Sequence, residues 1–205
     1  LVKAPGCDVN QAMKDGATPA LIAARFGHTA ALELLVEAGC DVNQAMSDGR
    51  TPAFIAAQEG RTAALEILVK VPGCDVNQAA DGGQTPVIVA ASRGHAAALE
   101  LLVKAPGCDV NLAENDGETP AYVAAQEGQT AALEVLVKAP GFDVNQADKI
   151  GVTPACIAAF TGQTAALEVL VKAPGCDVNQ AENNGYTPAF IAAQMGHTAA
   201  LDRLF

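Results

Sequence analysis

Tryptophan is absent from this 205-residue chain, and aromatic residues make up only 4% of it although half of the sequence is hydrophobic. The apolar half is therefore mostly Ala, Val, Leu and Ile. Side chains this small bury little area each, which favours closely packed helices over a cavity wide enough for a cofactor, and none is expected. Basic residues are few: 12 Lys and Arg stand against 23 Asp and Glu, a formal charge of −11. That balance repels phosphate backbones and anionic lipid, so nucleic acid and membrane surfaces are not expected partners. No apolar run approaches the roughly 18 residues that direct insertion into a bilayer needs. The opening Leu1-Val2-Lys3-Ala4-Pro5-Gly6 lacks the basic and apolar regions of a signal peptide. Also missing are Cys-x-x-Cys and His-x-x-x-His pairs, a Ser placed with a base, and a Gly-rich loop entering a helix with a Lys. Neither a metal site nor an enzyme is expected.

What the chain has in quantity is punctuation, 19 Gly and 11 Pro, and a repeat explains both. Asp-Val-Asn begins at Asp8, Asp41, Asp75, Asp109, Asp143 and Asp177, and Thr-Pro at Thr18, Thr51, Thr85, Thr119, Thr153 and Thr187. In both series the first spacing is 33 residues and every later one 34. A period of this size is the mark of a solenoid. The units read as a partial 1–12, then 13–45, 46–79, 80–113, 114–147, 148–181 and a truncated 182–205. They form a single domain, or a segment of a longer array. The shorter first period reflects Glu37-Ala38-Gly39, where later units carry Ala-Pro-Gly or Val-Pro-Gly.

Each unit predicts two helices and a loop. Thr18 is a good N-cap, and Pro19 sits at the first helical position, where its missing N–H costs nothing. Ala20-Leu21-Ile22-Ala23-Ala24 follows, and Gly27 stops the helix. A second helix runs from about Thr29 to Ala38, with Leu32, Leu35 and Val36 at core spacing. On its outer face Glu66/Lys70, Glu100/Lys104, Glu134/Lys138 and Glu168/Lys172 are i,i+4 pairs in the favourable order, worth a few tenths of a kcal/mol each. The stretch from Asp-Val-Asn to the next Thr-Pro has the Asp, Asn and Gly content of a hairpin loop.

A helix–turn–helix–loop unit that opens with Gly-x-Thr-Pro and closes with Gly-Cys-Asp-Val-Asn resembles the ankyrin repeat over the whole chain. The resemblance implies an all-α, ankyrin-like solenoid with hairpin loops. Where that family usually reads Thr-Pro-Leu-His, this chain has Leu21, Phe54, Ile88, Tyr122, Cys156 and Phe190 at the His position. Two readings stay open for this row: packing between repeats, or an apolar stripe lining the groove. The inserted Pro is a second departure and is expected to tilt its loop.

Cys7, Cys40, Cys74, Cys108 and Cys176 share one slot, which Phe142 fills in the sixth case. Neighbouring units stack at about 8–10 Å, beyond the roughly 7 Å between Cα atoms that a disulfide tolerates. The cysteines read as small buried hydrophobes in a reducing, intracellular compartment, most simply the cytoplasm. His28, His95 and His197 read as polar contacts closing the turn between helices.

Framework positions recur in nearly every copy, while the hairpin residues around the Gly before Thr-Pro and the last residues of the first helix vary. The resemblance implies that these varied positions form the loop tips and concave groove that the family uses to bind proteins. They are Arg25 and Phe26 in the first unit, Arg50 and Glu59 in the second, and Arg93 in the third. The fourth is acidic, with Glu114, Asp116, Glu118 and Glu127; Ile150, Val152, Phe160, Tyr186 and Met195 make the last two apolar. The expected partner is another protein with an apolar anchor and a basic flank. The expected function is that of a non-enzymatic interaction scaffold; the alternative is a structural spacer within a larger multiprotein assembly.

Overall fold

The computed structural model describes residues 6–205, so Leu1–Pro5, the beginning of the partial unit, lie outside the described residues. Helices follow in six pairs: α1 (Pro19–Phe26) with α2 (Thr29–Glu37), α3 (Pro52–Gln58) with α4 (Thr62–Val69), and α5 (Pro86–Ser92) with α6 (Ala96–Leu102). Then come α7 (Pro120–Gln126) with α8 (Thr130–Leu136), α9 (Pro154–Thr161) with α10 (Thr164–Val171), and α11 (Pro188–Met195) with α12 (Thr198–Asp202). Odd-numbered helices stack in one layer and even-numbered helices in a second, with no strand among the described residues.

Helices of five to nine residues are too short to persist alone, so they hold through capping and stacking. All six Thr residues of Thr-Pro cap as expected, the hydroxyl accepting the N–H three residues on at 3.1–3.3 Å. Alanines at the first-helix centre (Ala24, Ala56, Ala90, Ala124, Ala158, Ala192) are fully buried, which lets the layers approach closely. The second helices contribute paired leucines, Leu65/Leu68 through Leu167/Leu170, at 0% exposure. All 19 glycines have positive φ, and no other described residue does.

The repeated polar residues join one unit to the next. Asn43, Asn77, Asn111 and Asn145 each accept the backbone N–H of the next loop's Asp and donate to the carbonyl of Gly73, Gly107, Gly141 and Gly175 at 2.7 Å. The Pro-Gly pair presents that carbonyl. Cys74 N–H closes a turn on Val71 O with Pro72 second and Gly73 (φ +83°) third, the conformation of a type II turn. Asn10, facing the loop without Pro, accepts Asp41 N–H but makes no matching donation. The inserted Pro thus completes an inter-unit clamp.

Hairpin tips are joined by the backbone itself: Ser47, Asp81, Asn115, Lys149 and Asn183 donate their N–H to Asp15, Asp48, Gly82, Asp116 and Ile150 carbonyls at 2.8–3.2 Å. The hairpin Gly makes this approach possible, since a Cβ on Gly117 would lie 2.8 Å from Lys149 N.

Four expectations are resolved or corrected here. The row at the family's His position packs between repeats: Leu21, Phe54, Ile88, Tyr122 and Cys156 are buried, and only Phe190, in the last of the described units, is half exposed. The histidines do not close their own turn. The Nε2 atoms of His95 and His197 lie 3.2 and 3.1 Å from the Gln58 and Phe160 carbonyls one unit back, as Arg61, Gln129 and Gln163 reach Arg25, Ser92 and Gln126. The slot cysteines are not core residues. Cys7 is exposed, and Cys40, Cys74, Cys108 and Cys176 are half-buried, packed against the margin of the core; all are free. Burial first, then the adjacent Asp, pushes the Cys74 and Cys108 thiols up to about 11, leaving them protonated and unreactive near neutrality. Of the outer-face ion pairs, Glu66–Lys70, Glu100–Lys104 and Glu168–Lys172 form, Glu168 being shared with Arg203, whereas Glu134–Lys138 does not close.

Candidate functional site

The varied positions fall in the hairpins and at the C-terminal ends of the odd-numbered helices. Repetition of the framework holds them at a regular spacing, and their own chemistry does little to shape the fold.

At the N-terminal end Arg25 and Phe26 close α1, the guanidinium 5.8 Å from the ring centroid and the ring 56% exposed. Phe26 also stacks on His28 with centroids 5.9 Å apart. Arg50 is not a free cation. It pairs with Asp48 of its own hairpin at 2.7 Å, and that hydrogen bond holds the Asp48 carboxyl below its usual range. Glu59, Arg93 and Glu127 are exposed at the ends of α3, α5 and α7.

In the fourth hairpin Glu114, Asp116 and Glu118 bring carboxylate oxygens within 4.8 Å of one another. Glu114 also accepts Gln84 Nε2 at 3.0 Å from the preceding unit. Partial burial, then the fields of Asp116, Glu114 and Asp148, raise the Glu118 carboxyl above its usual range. Beneath it, burial followed by the Glu118 charge pushes the Tyr122 phenol up to about 12. From sequence the trio is an acidic stretch; its convergence comes from the hairpin, where Glu114 N–H pairs with Glu118 O at 2.9 Å.

The fifth and sixth units change character. Ile150 (61% exposed), Phe160 (49%), Tyr186 (42%) and Met195 (44%) open to solvent on adjacent hairpins and helix ends. Val152 differs from them: it is half-buried, with its N–H held by Asp148 Oδ1 at 2.8 Å. Tyr186 stacks almost parallel on Phe190, centroids 4.6 Å apart, adding to this surface a ring that sequence reasoning places in the inter-repeat row. The available signal was position: Phe190 belongs to the final unit. Phe26 and this apolar group stand at opposite ends of the stack and do not meet.

Two layers of short helices, clamped unit to unit by a repeated set of hydrogen bonds, define a repeat solenoid. The chain belongs to the ankyrin-repeat family, whose three-copy repeat profile matches residues 1–80, 71–148 and 139–205. Ankyrin repeats bind other proteins. Among solved structures it is similar to EF0377, an ankyrin repeat protein, with a TM-score of 0.82, 23% identity, and coverage of 94% of this chain and 98% of that one. It is similar too to an ankyrin repeat domain (ABAYE2397) from Acinetobacter baumannii AYE, with a TM-score of 0.81, 23% identity, and coverage of 91% and 95%. A search of curated proteins finds no match. No helix among the described residues is long and apolar enough to cross a membrane.

Proposed function

We propose that this chain is a non-enzymatic interaction scaffold that holds a protein partner along its hairpin tips and inner-helix ends. The observation that carries the reading is the exposed apolar group Ile150, Phe160, Tyr186 and Met195 beside the acidic fourth hairpin. Large apolar side chains on one functional edge, next to a block of one charge, suit a partner with an apolar anchor and a basic flank. Val152 supports the hairpin in this reading, and Arg50, already paired, contributes little charge.

A random-peptide display selection against the chain tests this. Selected sequences should combine a large apolar residue with Lys or Arg, and a Phe160→Ala/Tyr186→Ala double variant should weaken them at least about thirtyfold, the loss of one or more anchor contacts. Unchanged affinity in that variant removes the patch from the reading.

One observation favours a spacer role instead. A groove of about 620 Å³ runs between α6 and α8 on the outer layer, lined by Ala96, Val103, Ala131 and Val135 and rimmed by Glu100, Lys104, Glu134 and Lys138. Amine cross-links to a native partner separate the two: Lys14 and Lys149 mark the hairpin edge, Lys104 and Lys138 the outer groove.

A further inference from the structure

Three hairpins show how this fold answers an acid near its tip. Asp48 meets the Arg50 guanidinium at 2.7 Å. Asp148 Oδ1 accepts the Ile150 and Val152 N–H groups at 2.9 and 2.8 Å. Glu182 takes the Tyr186 N–H at 3.1 Å and the Asn184 amide at 3.0 Å. In the fourth hairpin Glu118 stands at the position of Arg50, so a third carboxylate replaces the cation of the second unit. Glu114, Asp116 and Glu118 hold carboxylate oxygens within 4.8 Å of one another. Their donors are the Gln84 amide, on Glu114 at 3.0 Å, and the Glu118 N–H, on Asp116 at 3.5 Å. Among the described residues no ion pair includes any of the three.

A second observation lies beneath the trio. Tyr122 is 7% exposed, and among the described residues its hydroxyl makes no hydrogen bond. A hydroxyl enclosed to this extent ordinarily has a partner. The charges around the phenol are those of Glu118, Asp148 and Asp116, so its open side faces the carboxylates without bonding to any of them. A hydrated cation satisfies both parties, because its charge suits the carboxylates and its water offers the phenol an acceptor.

We propose that Glu114, Asp116 and Glu118 bind a divalent cation of calcium's size, with the Tyr122 hydroxyl donating to a water of its coordination shell. Oxygens within 4.8 Å of one another can share one ion at the roughly 2.4 Å of a calcium–oxygen bond, and a hard cation prefers such donors. Magnesium bonds at about 2.1 Å, demands a near-ideal octahedron and sheds its waters reluctantly, so three carboxylates on one short hairpin suit it less. The missing Cys-x-x-Cys and His pairs exclude a thiolate or imidazole site and have no bearing on one built of oxygens. With three protein ligands and water completing the shell, the dissociation constant should be on the order of 0.1–1 mM. The ion also relieves the mutual repulsion that holds the Glu118 carboxyl above its usual range. This inference is independent of the scaffold reading, although a bound ion and a partner's basic flank would compete for the same carboxylates.

Terbium(III) tests it, since this ion takes calcium sites and is lit by a nearby tyrosine. The chain suits the probe, having two Tyr and no Trp. The wild-type chain should give tyrosine-sensitised emission that calcium displaces at about 0.1–1 mM and magnesium only at concentrations at least about tenfold higher. Tyr122→Phe should remove the emission, and Tyr186→Phe should leave it. Read by titration calorimetry with calcium alone, Asp116→Asn and Glu118→Gln should each weaken binding at least about tenfold. Tyr122→Phe should weaken it about fivefold, the loss of one hydrogen bond. All three variants should melt cooperatively in chelator, as the wild type does. Absent emission from the wild-type chain, or emission that survives Tyr122→Phe, overturns the proposal. So does calcium affinity unchanged by Asp116→Asn and Glu118→Gln, and so does magnesium displacing terbium as readily as calcium, which would mean a diffuse cloud of counterions.

Discussion

The octapeptide Thr-Pro-Ala-Phe-Ile-Ala-Ala-Gln occurs twice, at residues 51–58 and again at 187–194. Both copies begin a helix at Pro and are capped by the Thr hydroxyl, at 3.1 Å in one and 3.3 Å in the other. Beyond that their fates separate. Phe54 is buried under α5 and its neighbours, while Phe190 is half exposed and stacks on Tyr186. Local sequence determines the helix in both places, and the presence of a following unit determines whether its face is core or surface. In a solenoid, burial belongs to the joint between units and to no single repeat.

Paired substitutions sharpen this contrast. The largest effect is expected at the phenylalanines. Phe54→Ala should cost about 3–5 kcal/mol by opening a cavity between units, read as a fall in the urea midpoint. Phe190→Ala should cost under about 1 kcal/mol, since half of that ring is already in water. Equal losses would mean that the last unit is covered as fully as the second.

Next come the hairpin glycines. At Gly117 an Ala side chain meets left-handed backbone and the backbone of Asp148 and Lys149 together, whereas at Gly185 it meets left-handed backbone in open space. Gly185→Ala should cost about 1 kcal/mol from backbone strain alone. Gly117→Ala should cost clearly more, and thermal melts of the two variants give the difference, which is the worth of the close approach.

A smaller contrast lies in the asparagine clamp. Asn111→Ala removes a donor to Gly141 O and an acceptor for Asp143 N–H, a loss of about 1–2 kcal/mol. Asn179, the last of the series, joins no following loop, and Asn179→Ala should stay within about 0.5 kcal/mol.

The smallest effect is electrostatic. Glu118 has a raised carboxyl, so its charged form is disfavoured in the folded chain; the penalty is present above the raised pKa and absent below the unfolded one. Glu118→Gln should therefore stabilise the chain at pH 7 by no more than about 0.5 kcal/mol. The gain should vanish near pH 4, about the ordinary carboxylate value. Asp48, held low by Arg50, acts in the opposite sense, losing its contribution as pH falls through its depressed pKa.

Much of this was legible in the residues. Thr-Pro at a fixed period marks each helix start because a hydroxyl cap and a fixed φ act within a few residues. The family resemblance turns that period into a solenoid. The varied hairpin and helix-end positions were legible as a group, since repetition exposes whatever does not repeat. Other features depended on partners one unit away, about 34 positions along the chain. Thus His95 reaches back to Gln58, and Pro-Gly presents a carbonyl to an Asn in another loop. The half-exposure of the slot cysteines, against the expectation of burial, belongs here too, because they pack at the margin of the core.

The sequence by itself therefore determined the unit, its helices, its caps and its spacing, because these rest on interactions a few residues long. Tertiary structure alone decided which equivalent residues are covered. It buried Leu21, Phe54, Ile88, Tyr122 and Cys156 and left Phe190 open, and it carried the side chains of His95 and His197 to carbonyls of the preceding unit. Burial requires a neighbour, and in a stack the neighbour is always the next unit.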